Sequence, residues 1–297
     1  MRAQRASKPP VSEAWQPKLV ALDIDGTLLK WVEGGGTTHE EVPPAVYDAV
    51  QRVLEAGSHV VLASGRAPHS MTVVADLLDL HGHGDRLWVV ASNGSVLVRY
   101  PPVEIVHEET FDAAPAVQAV LERHPDALVA IEERGVGYRV SAPFPEGELG
   151  GEQIVTHLEE LVSMPVSRVI IRDPDATAED FVQMAGELGL HGTDYVVGWT
   201  AWLDLAPVGV SKASGLQRVA AELGIDAADV LAIGDGRNDV EMLRWAGRGV
   251  AMGQAVQEVH DAADASTSPV DEDGAAEELL RWFRGSQART STDGIPS

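Results

Sequence analysis

Short apolar segments that end in loops of aspartate and glycine constrain this fold more than any other feature of the sequence. The run 18–22 is followed by D-I-D-G-T at 23–27, and the run 230–233 is followed by G-D-G-R-N-D at 234–239. Uninterrupted apolar runs of this length are typical of strands buried on both faces of a parallel sheet. Because ligands bind such sheets at the carboxyl ends of the strands, the two loops predict a functional site at one sheet edge.

Helices and strands alternate in the first and last parts of the chain. The first part has predicted strands at 18–22, 60–63 and 87–91 and helices at 42–56 and 68–80. The last part has predicted helices at 212–223 and 239–245 and strands at 230–233 and 249–252. This alternation implies parallel pairing with right-handed crossovers. The sequence therefore predicts an α/β fold with a doubly wound, Rossmann-like parallel-sheet core.

The middle of the chain has strand pairs and helices in an α+β order, without loops of glycine and acid at the strand ends. The predicted strands are 128–132, 137–140, 168–172, 195–199 and 202–206, and the predicted helices are 112–124, 153–161 and 178–188. We interpret this part as a cap domain inserted into the core. The predicted divisions are a flexible N-terminal tail (1–17), the core (18–98 and 199–284), the inserted α+β cap (99–198) and a flexible C-terminal tail (285–297).

Charge and composition exclude several classes of function. The chain has 46 acidic and 22 basic residues, and its net charge of −24 repels nucleic acid and anionic membranes. It has no cysteine, which excludes disulfides, thiolate metal sites and cysteine nucleophiles. No run approaches the roughly 18 apolar residues of a membrane span, and 1–17 lacks the apolar stretch of a signal peptide. We expect a cytoplasmic protein, a monomer or a small homo-oligomer, with no nucleic acid or membrane partner.

Asp23 and Asp25 are candidates for covalent phosphate chemistry. Both follow the end of one predicted strand, and we expect their side chains to point in different directions and to take different roles. A carboxylate nucleophile works economically with a second carboxyl group that protonates the leaving oxygen and then activates water. The alternative is that D-I-D-G-T is only a polar turn after a strand.

Two further positions provide groups that bind anions. The strand at 60–63 is followed by Ser64, Gly65 and Arg66, which offer a hydroxyl, backbone amides and a guanidinium. The alternative is an N-cap by Ser64 with Arg66 as a surface charge. Lys212 is one of four lysines and the only one after residue 30. A compact ammonium suits a position between a phosphoryl group and carboxylates, whereas a solvated lysine in a first helical turn opposes the helix dipole.

Asp235 and Asp239 follow another apolar strand and would share a sheet edge with Asp23 and Asp25. Each close pair of carboxylates repels by roughly 4 kcal/mol at an effective dielectric constant of 20, and a bound phosphate adds to this. A hard cation with oxygen ligands removes the conflict. Mg²⁺, which binds through one or two carboxylates together with water and substrate phosphate, fits best.

Taken in order along the chain, the segments 23–27, 63–66, Lys212 and 234–239 resemble those of the haloacid dehalogenase (HAD) superfamily of phosphatases, within it the Cof-like branch. The resemblance implies a Mg²⁺-dependent phosphatase that hydrolyses a small phosphorylated metabolite, such as a sugar phosphate or a cofactor-like phosphate, through an aspartyl-phosphate intermediate. Two alternatives are a phosphotransferase or phosphomutase on the same scaffold and a non-enzymatic phospho-acceptor protein.

The resemblance also assigns roles to individual residues. Asp23 corresponds to the nucleophile and Asp25 to the general acid and base, with Lys212 as the third catalytic residue. The implied phosphate-binding residues are Thr27, Ser64, Gly65, Lys212 and Asn238. The implied metal ligands are Asp23, Asp235 and the backbone carbonyl of Asp25, with Asp239 in support. Arg66 is a possible substrate contact, and 132–134 with Tyr138 in the cap either contact the substrate or form a charged hairpin tip.

Overall fold

The computed structural model describes residues 8, 11–12, 14–30, 39–81, 86–133, 137–188, 193–197 and 202–284. The strands in these ranges are β1 (Leu19–Leu22), β2 (His59–Ala63), β3 (Leu87–Ala91), β4 (Val96–Tyr100), β5 (Glu104–Glu108), β6 (Leu128–Glu133), β7 (Gly137–Val140), β8 (Glu152–Val155), β9 (Val169–Arg172), β10 (Thr193–Val197), β11 (Trp202–Pro207), β12 (Val230–Gly234), β13 (Arg248–Ala251) and β14 (Ala265–Ser266). The α-helices are α1 (Pro44–Glu55), α2 (Pro68–Leu77), α3 (Ala114–Leu121), α4 (Leu158–Leu161), α5 (Ala178–Leu188), α6 (Lys212–Leu223), α7 (Val240–Trp245), α8 (Gln257–Ala262) and α9 (Gly274–Trp282). Of the helices in the described ranges, none has the length and hydropathy needed to cross a membrane.

Within the described residues, the first sheet has eight strands in the order β14-β13-β12-β1-β2-β3-β4-β5. The central strand β1 pairs in parallel with β12 and with β2, and Leu22 lies opposite Ile233 and Leu62. The carboxyl ends of these three strands therefore lie at one edge. From β1 the chain passes to β2 and β3 on one side of the sheet, and the later strands β12, β13 and β14 lie on the other side, which makes this edge a topological switch point of the kind where ligands bind. The predicted Rossmann-like α/β core is confirmed.

The central strand β1 is buried on both faces. Val20 and Leu22 belong to an apolar cluster with side chains of α1, α2 and α9, whereas Leu19 and Ala21 pack with α6, α7 and α8. All four side chains are fully buried. Burying each leucine contributes roughly 1.5–3 kcal/mol, which explains the uninterrupted apolar run. The strand is a rigid support for the loop that begins at Asp23.

The second sheet consists, among the described residues, of six strands in the order β10-β11-β9-β6-β7-β8. One face packs against helices α3, α4 and α5 through an apolar cluster that includes Val129 and Phe181. On the opposite face, Ala130 and Tyr138 belong to a smaller cluster with Ala67, which immediately precedes α2. The second sheet therefore turns this face towards the first sheet.

Strand pairing divides the chain at different residues from those predicted. The sequence predicts that the cap spans 99–198, yet β5 pairs with β4 in the first sheet and β11 pairs with β9 in the second. The first sheet continues past β3 because β4 buries Val96 and Val98 in its core. The second sheet includes β11 because Leu203 and Leu205 complete its apolar face. We propose that the second sheet and helices α3–α5 form the inserted cap.

The predicted helix at 153–161 is wrong over its first half. Residues Glu152–Val155 form β8, which pairs in parallel with β7, and only Leu158–Leu161 is helical. Ile154 and Val155 are β-branched and favour extended backbone over helix. A pattern of apolar residues alone does not separate a short strand followed by one helical turn from a longer helix.

The chain before β1 contacts the core, which differs from the predicted flexible N-terminal tail. Trp15 packs edge-on against Trp282 with ring centroids 4.9 Å apart, and its indole N–H donates to the Ala228 carbonyl at 3.1 Å. Lys8 forms an ion pair with Asp264 at 2.9 Å. The indole provides apolar surface that packs against α9, so this part of the segment is anchored. The predicted C-terminal tail at 285–297 lies outside the described residues.

Candidate active site

The loop after β1 positions the first candidate catalytic group. Asp23 follows the strand directly and is only 4% exposed. Its backbone N–H donates to the Ile233 carbonyl at 3.1 Å, which extends the pairing with β12 by one residue. Gly26 has a φ of 81°, a left-handed conformation that glycine adopts without strain, and it allows the chain to turn back. The carboxylate of Asp23 is therefore held at the switch point of the sheet.

Lys212 is the first residue of α6 and is 1% exposed. Ser211 caps the helix, and its side chain accepts a hydrogen bond from the backbone N–H of Ser214. The Lys212 ammonium lies 2.6 Å from Asp23 Oδ1 and 2.6 Å from Asp239 Oδ1. Burial alone would lower the pKa of Lys212, but the two carboxylates raise it above its usual value, so the ammonium stays charged. Their negative charges also offset the unfavourable placement of a cation at a helix N-terminus.

Asp239 organises the loop after β12. Its Oδ2 accepts hydrogen bonds from the backbone N–H groups of Asp235 at 3.0 Å and Gly236 at 2.8 Å, while its Oδ1 accepts from Lys212. A Cβ atom at Gly234 would lie 2.4 Å from the Asp239 side chain, so only glycine fits there. Both oxygens of Asp239 thus have protein donors. This carboxylate is suited to hold the loop and the ammonium in place.

Asp23, Asp235 and Asp239 form a buried acidic cluster. Each offers one carboxylate oxygen, and these oxygens lie within 4.8 Å of one another. Burial, and then the charge of Asp239, raise the pKa of Asp235 to about 7, and burial raises the pKa of Asp23 well above its usual value. Two carboxylates about 5 Å apart repel by roughly 3 kcal/mol at a dielectric constant of 20. Three ionised carboxylates beside one ammonium would also leave an excess of negative charge in the cluster.

The donor chemistry of this cluster fits a hard divalent cation such as Mg²⁺. Asp239 already accepts three hydrogen bonds, so Asp23 and Asp235 are the carboxylates best placed to bind an ion. The side chain of Asp25 points elsewhere. The backbone carbonyl of Asp25, but not its side chain, therefore remains a candidate metal ligand.

Asp25 is held by a guanidinium. Arg66 Nε donates to Asp25 Oδ2 at 2.9 Å and Arg66 Nη2 donates to Asp25 Oδ1 at 2.7 Å. Arg66 Nη1 also donates to Glu40 at 3.2 Å, a residue that the sequence patterns do not single out. The two aspartates of D-I-D-G-T thus have different cationic partners, Lys212 and Arg66. Arg66, a predicted substrate contact, binds the predicted acid and base in this structure.

Hydroxyl and amide groups flank the acidic cluster. The Thr27 hydroxyl oxygen is buried and has no hydrogen-bond partner among the described residues. Ser64 is 2% exposed, and its Oγ accepts from the backbone N–H of Arg66 at 3.2 Å. A Cβ atom at Gly65 would lie 3.1 Å from the Asn93 side chain, a close approach that favours glycine. A buried hydroxyl without a partner costs about 1–3 kcal/mol, which a ligand oxygen would recover.

Asn238 contacts Asn93 in the loop after β3. Its Nδ2 donates to Asn93 Oδ1 at 3.0 Å. Asn93 has a φ of 54°, a left-handed conformation that asparagine tolerates better than most residues. The phosphate-binding role that the resemblance implies for Asn238 stays a prediction, and the contact that the structure shows is to the loop after β3.

Gln254 links three loops of the site, and its role is missed by sequence patterns. Its Nε2 donates to the Gly26 carbonyl at 2.6 Å and to Asp235 Oδ2 at 3.2 Å, while its Oε1 accepts from the Val270 N–H at 3.0 Å. The only sequence signal is its position just after a small-residue strand. A neutral amide in this position orients one carboxylate without adding charge.

The chain is similar to known proteins over most of its length. The family model described as haloacid dehalogenase-like hydrolase matches residues 20–279. A phosphoglycolate phosphatase of Natronomonas pharaonis is 30% identical over 262 residues, which cover 88% of this chain and 96% of that protein. The phosphatase YwpJ of Bacillus subtilis is 26% identical, with 87% and 97% covered. A solved structure described as the HAD subclass IIB sugar phosphatase BT4131 has the same fold, with a TM-score of 0.74, 23% identity and coverages of 89% and 98%.

Proposed function

Because the chain belongs to the haloacid dehalogenase-like hydrolase family, we propose that it hydrolyses a small soluble phosphomonoester with Mg²⁺, through an aspartyl phosphate on Asp23. The chain is a phosphoric monoester hydrolase, and the metal, the covalent intermediate and the substrate class are the proposed parts. The observation that carries the proposal is the 2.6 Å contact between Lys212 and Asp23 inside a buried acidic cluster.

The proposed nucleophile needs positive charge nearby, because a carboxylate and a phosphate monoester repel each other. The ammonium of Lys212 supplies one such charge beside Asp23 Oδ1. Mg²⁺, held by Asp23 and Asp235, would supply the rest by neutralising charge on the transferring phosphoryl group. Asp239 keeps Lys212 and the loop of Asp235 in place through its hydrogen bonds. The electrostatic contribution comes from groups that are fixed before the substrate binds.

Two successive displacements complete the proposed reaction. An oxygen of Asp23 forms a bond to phosphorus while the bond to the leaving oxygen breaks, and Asp25 gives its proton to that oxygen. Asp25 then takes a proton from a water molecule whose oxygen attacks phosphorus. The bond between phosphorus and Asp23 breaks, and inorganic phosphate leaves. To protonate the leaving oxygen, Asp25 must give up its contact with Arg66. The ion pair between Asp25 and Arg66 is therefore the arrangement before the reaction.

Thr27 and the loop at Ser64 and Gly65 are the proposed binding groups for the phosphoryl oxygens. The buried Thr27 hydroxyl has no hydrogen-bond partner in the part of the chain that the structure describes, which supports a role in ligand binding. Ser64 lies on the neighbouring strand end and is also buried. Together with Lys212, these groups would surround a phosphoryl group attached to Asp23.

The proposal is tested by measuring phosphate release from p-nitrophenyl phosphate with Mg²⁺ and after chelation. We expect turnover by the wild type with Mg²⁺, and loss of turnover after chelation and in Asp23→Asn, which keeps the shape of the side chain but not its nucleophilic charge. The matched control is Asp48→Asn, an exposed aspartate on α1, which should retain turnover. Near-normal turnover by Asp23→Asn, or full activity without a divalent cation, contradicts the proposal.

A further inference from the structure

Residues of strands β3–β5 and of helix α6 line a cavity in the core domain. The cavity has a volume of about 730 Å³, and its lining includes Trp88 on β3, Arg99 on β4, His107 on β5 and Arg218 on α6. Small-molecule sites commonly have volumes of about 300–1,000 Å³, so the cavity is large enough for a metabolite. We call it the α6 cavity.

The α6 cavity is separate from the proposed active site. Helix α6 begins at Lys212 beside Asp23, and Arg218 lies about 9 Å further along the helix axis. Trp88 lies near the start of β3, whereas the loop that contacts Asn238 follows the opposite, carboxyl end of that strand. None of the residues that line the cavity has a role in the proposed chemistry. A molecule bound here is therefore an additional ligand and not the substrate held at Asp23.

Arg99 is a cation that forms no ion pair with a carboxylate among the described residues. Its Nη2 donates to the Arg86 carbonyl at 2.9 Å, and its buried Nε has no hydrogen-bond partner in the same part of the chain. The guanidinium lies over the indole of Trp88, with Cζ 4.7 Å from the ring centroid. Glu104 is opposite Arg99 in the strand register but forms its ion pair with Arg86, at 2.5 Å. In a chain with a net charge of −24, a partly buried guanidinium without a counterion indicates a place for an external anion.

Arg218 and His107 form the second cationic part of the lining. Arg218 Nη2 donates to Glu109 Oε1, and His107 Nε2 lies 3.0 Å from the same oxygen. The Arg218 side chain is 52% exposed, so its ion pair with Glu109 contributes little to stability. An oxyanion in the cavity can therefore replace Glu109 at Arg218 at a low cost in free energy.

The charges of the lining favour an anion, and its apolar side chains favour an organic one. Three arginines and two glutamates leave one positive charge, before any proton on His107 is counted. Arginine binds phosphate and carboxylate groups through two parallel N–H···O bonds. Leu97, Val106 and Ala221 contribute apolar surface to the same cavity. Together these features fit a small organic molecule that carries a phosphate or carboxylate group.

We propose that the α6 cavity is a second ligand site, in which Arg99 and Arg218 bind the oxyanion group of a small organic phosphate or carboxylate. Arg99 gains the counterion that it lacks, while Arg218 and His107 exchange Glu109 for the ligand. The indole of Trp88 keeps the guanidinium of Arg99 in a fixed plane. The site does not depend on the proposed function, because no residue of the buried acidic cluster takes part in it.

Titration calorimetry with the wild-type protein tests this site. The ligands are phenylphosphonate, which has no ester bond to hydrolyse, benzoate, and benzyl alcohol as the neutral analogue. The titrations contain EDTA and no Mg²⁺, because the acidic cluster at Asp23 then repels anions. We expect one-to-one binding of phenylphosphonate or benzoate that weakens at high salt, and no measurable binding of benzyl alcohol. The anion that binds more tightly identifies the oxyanion that the site prefers.

Three variants locate the bound anion. Arg99→Met removes a charge-assisted hydrogen bond in a partly buried position, so affinity should fall about tenfold or more. Arg218→Met should lower affinity about twofold to fivefold, and Glu109→Gln, which removes the competing carboxylate, should raise it by a similar factor. The matched control is Arg52→Met, because Arg52 is an exposed arginine on α1, which packs on the opposite face of the sheet from α6. This control should bind like the wild type.

Hydrolysis of p-nitrophenyl phosphate with Mg²⁺ shows whether the two sites are separate. Without added ligand, Arg99→Met and Arg218→Met should keep turnover near that of the wild type, since neither residue contacts the acidic cluster. Thermal unfolding shows that both variants are folded. If folded variants lose turnover together with anion binding, the anion binds at the active site and the proposal is wrong.

Three binding results also overturn the proposal. The first is that the wild type binds neither anion, and the second is that benzyl alcohol binds as tightly as the anions do. The third is that Arg99→Met and Arg218→Met bind the anions like the wild type. Because Arg218 is half exposed, Arg218→Met keeps the test decisive even if Arg99→Met does not fold. The titrations need no turnover, so they remain decisive even if the chain releases no phosphate from p-nitrophenyl phosphate.

Discussion

Lys212 Nζ lies 2.6 Å from Asp23 Oδ1, although 189 positions separate the two residues in the sequence. The same ammonium contacts Asp239, so one buried cation joins the loops after β1 and β12 to the start of α6. Removing one partner of a buried ion pair leaves an uncompensated charge. Stability and the proposed chemistry therefore depend on the same contact.

Replacing Lys212 by methionine should lower both stability and turnover. The length of the side chain is kept, but two buried carboxylates lose their cation, and the expected loss is about 3–5 kcal/mol in the free energy of unfolding. Urea unfolding measures this change. Lys18→Met is the control, since Lys18 pairs with Asp229 while its side chain is 67% exposed, and it should show no measurable change. Equal stabilities of the wild type and Lys212→Met would show that the buried ion pair is not formed.

Replacing Asp25 by asparagine should reduce turnover without reducing Mg²⁺ binding. General acid and base catalysis contributes about 10²–10⁴-fold, so kcat should fall by that factor. The side chain of Asp25 contacts Arg66 and not the acidic cluster, so the metal should still stabilise the variant. Thermal unfolding with increasing Mg²⁺ measures the binding. If Asp25→Asn loses its stabilisation by Mg²⁺ together with its turnover, the Asp25 side chain is a metal ligand instead.

Replacing Asp235 by asparagine should stabilise the metal-free protein and remove its response to Mg²⁺. Burial and the charge of Asp239 disfavour the Asp235 carboxylate, and an amide removes that repulsion while it still accepts from Gln254. In the wild type, Mg²⁺ at 100 times its Kd should add about 2.7 kcal/mol. Unfolding at neutral pH with and without Mg²⁺ measures both effects. A variant that is less stable without metal, or that still responds to Mg²⁺ like the wild type, contradicts the assignment.

Replacing Thr27 by valine should weaken phosphate binding at no cost in stability. Valine has nearly the same shape, and the buried hydroxyl that it removes has no partner among the described residues. We expect the free energy of unfolding to stay the same or rise by about 1 kcal/mol, and inhibition by inorganic phosphate to weaken.

The control for this substitution is Ser58→Ala. The buried Ser58 hydroxyl donates to the Pro17 carbonyl at 2.7 Å, so its removal should lower stability by about 1 kcal/mol. Ser58→Ala should thus destabilise the protein, whereas Thr27→Val should not. Destabilisation by Thr27→Val of the same size would mean that the Thr27 hydroxyl has a structural partner.

The sequence predicts the strands of the core and the loops at their ends because each apolar run is local and is buried on both faces. The strands Leu19–Leu22 and Val230–Gly234 are recognised from their composition alone, and Asp23 and Asp235 come directly after them in the sequence. The strands β4 and β5 are both missed. The strand β5 lies at the sheet edge, where Glu104 and His107 interrupt the apolar pattern, whereas the buried apolar run of β4 is only three residues long, at 96–98. Edge strands with one exposed face lack a continuous apolar signal.

The contact between Arg168 and Asp204 in the second sheet could not be predicted from the sequence for a different reason. Arg168 and Asp204 are single charged residues within the predicted strands 168–172 and 202–206, and nothing in their local pattern shows that they meet. Their contact depends on β9 pairing with β11, which is fixed only when the cap folds. The contact of Arg66 with Asp25 has the same origin, because it joins the ends of two strands that are 41 positions apart in the sequence.

The nucleophile can be identified directly by trapping the covalent intermediate. Wild-type protein is mixed with p-nitrophenyl phosphate and Mg²⁺, quenched in acid within one turnover, digested and analysed by mass spectrometry. We predict a phosphoryl group on the peptide that contains Asp23, located on that side chain, and none in Asp23→Asn. Phosphate release by the wild type with no phosphoryl group on Asp23 at any quench time, or with one on a different residue, would contradict the account.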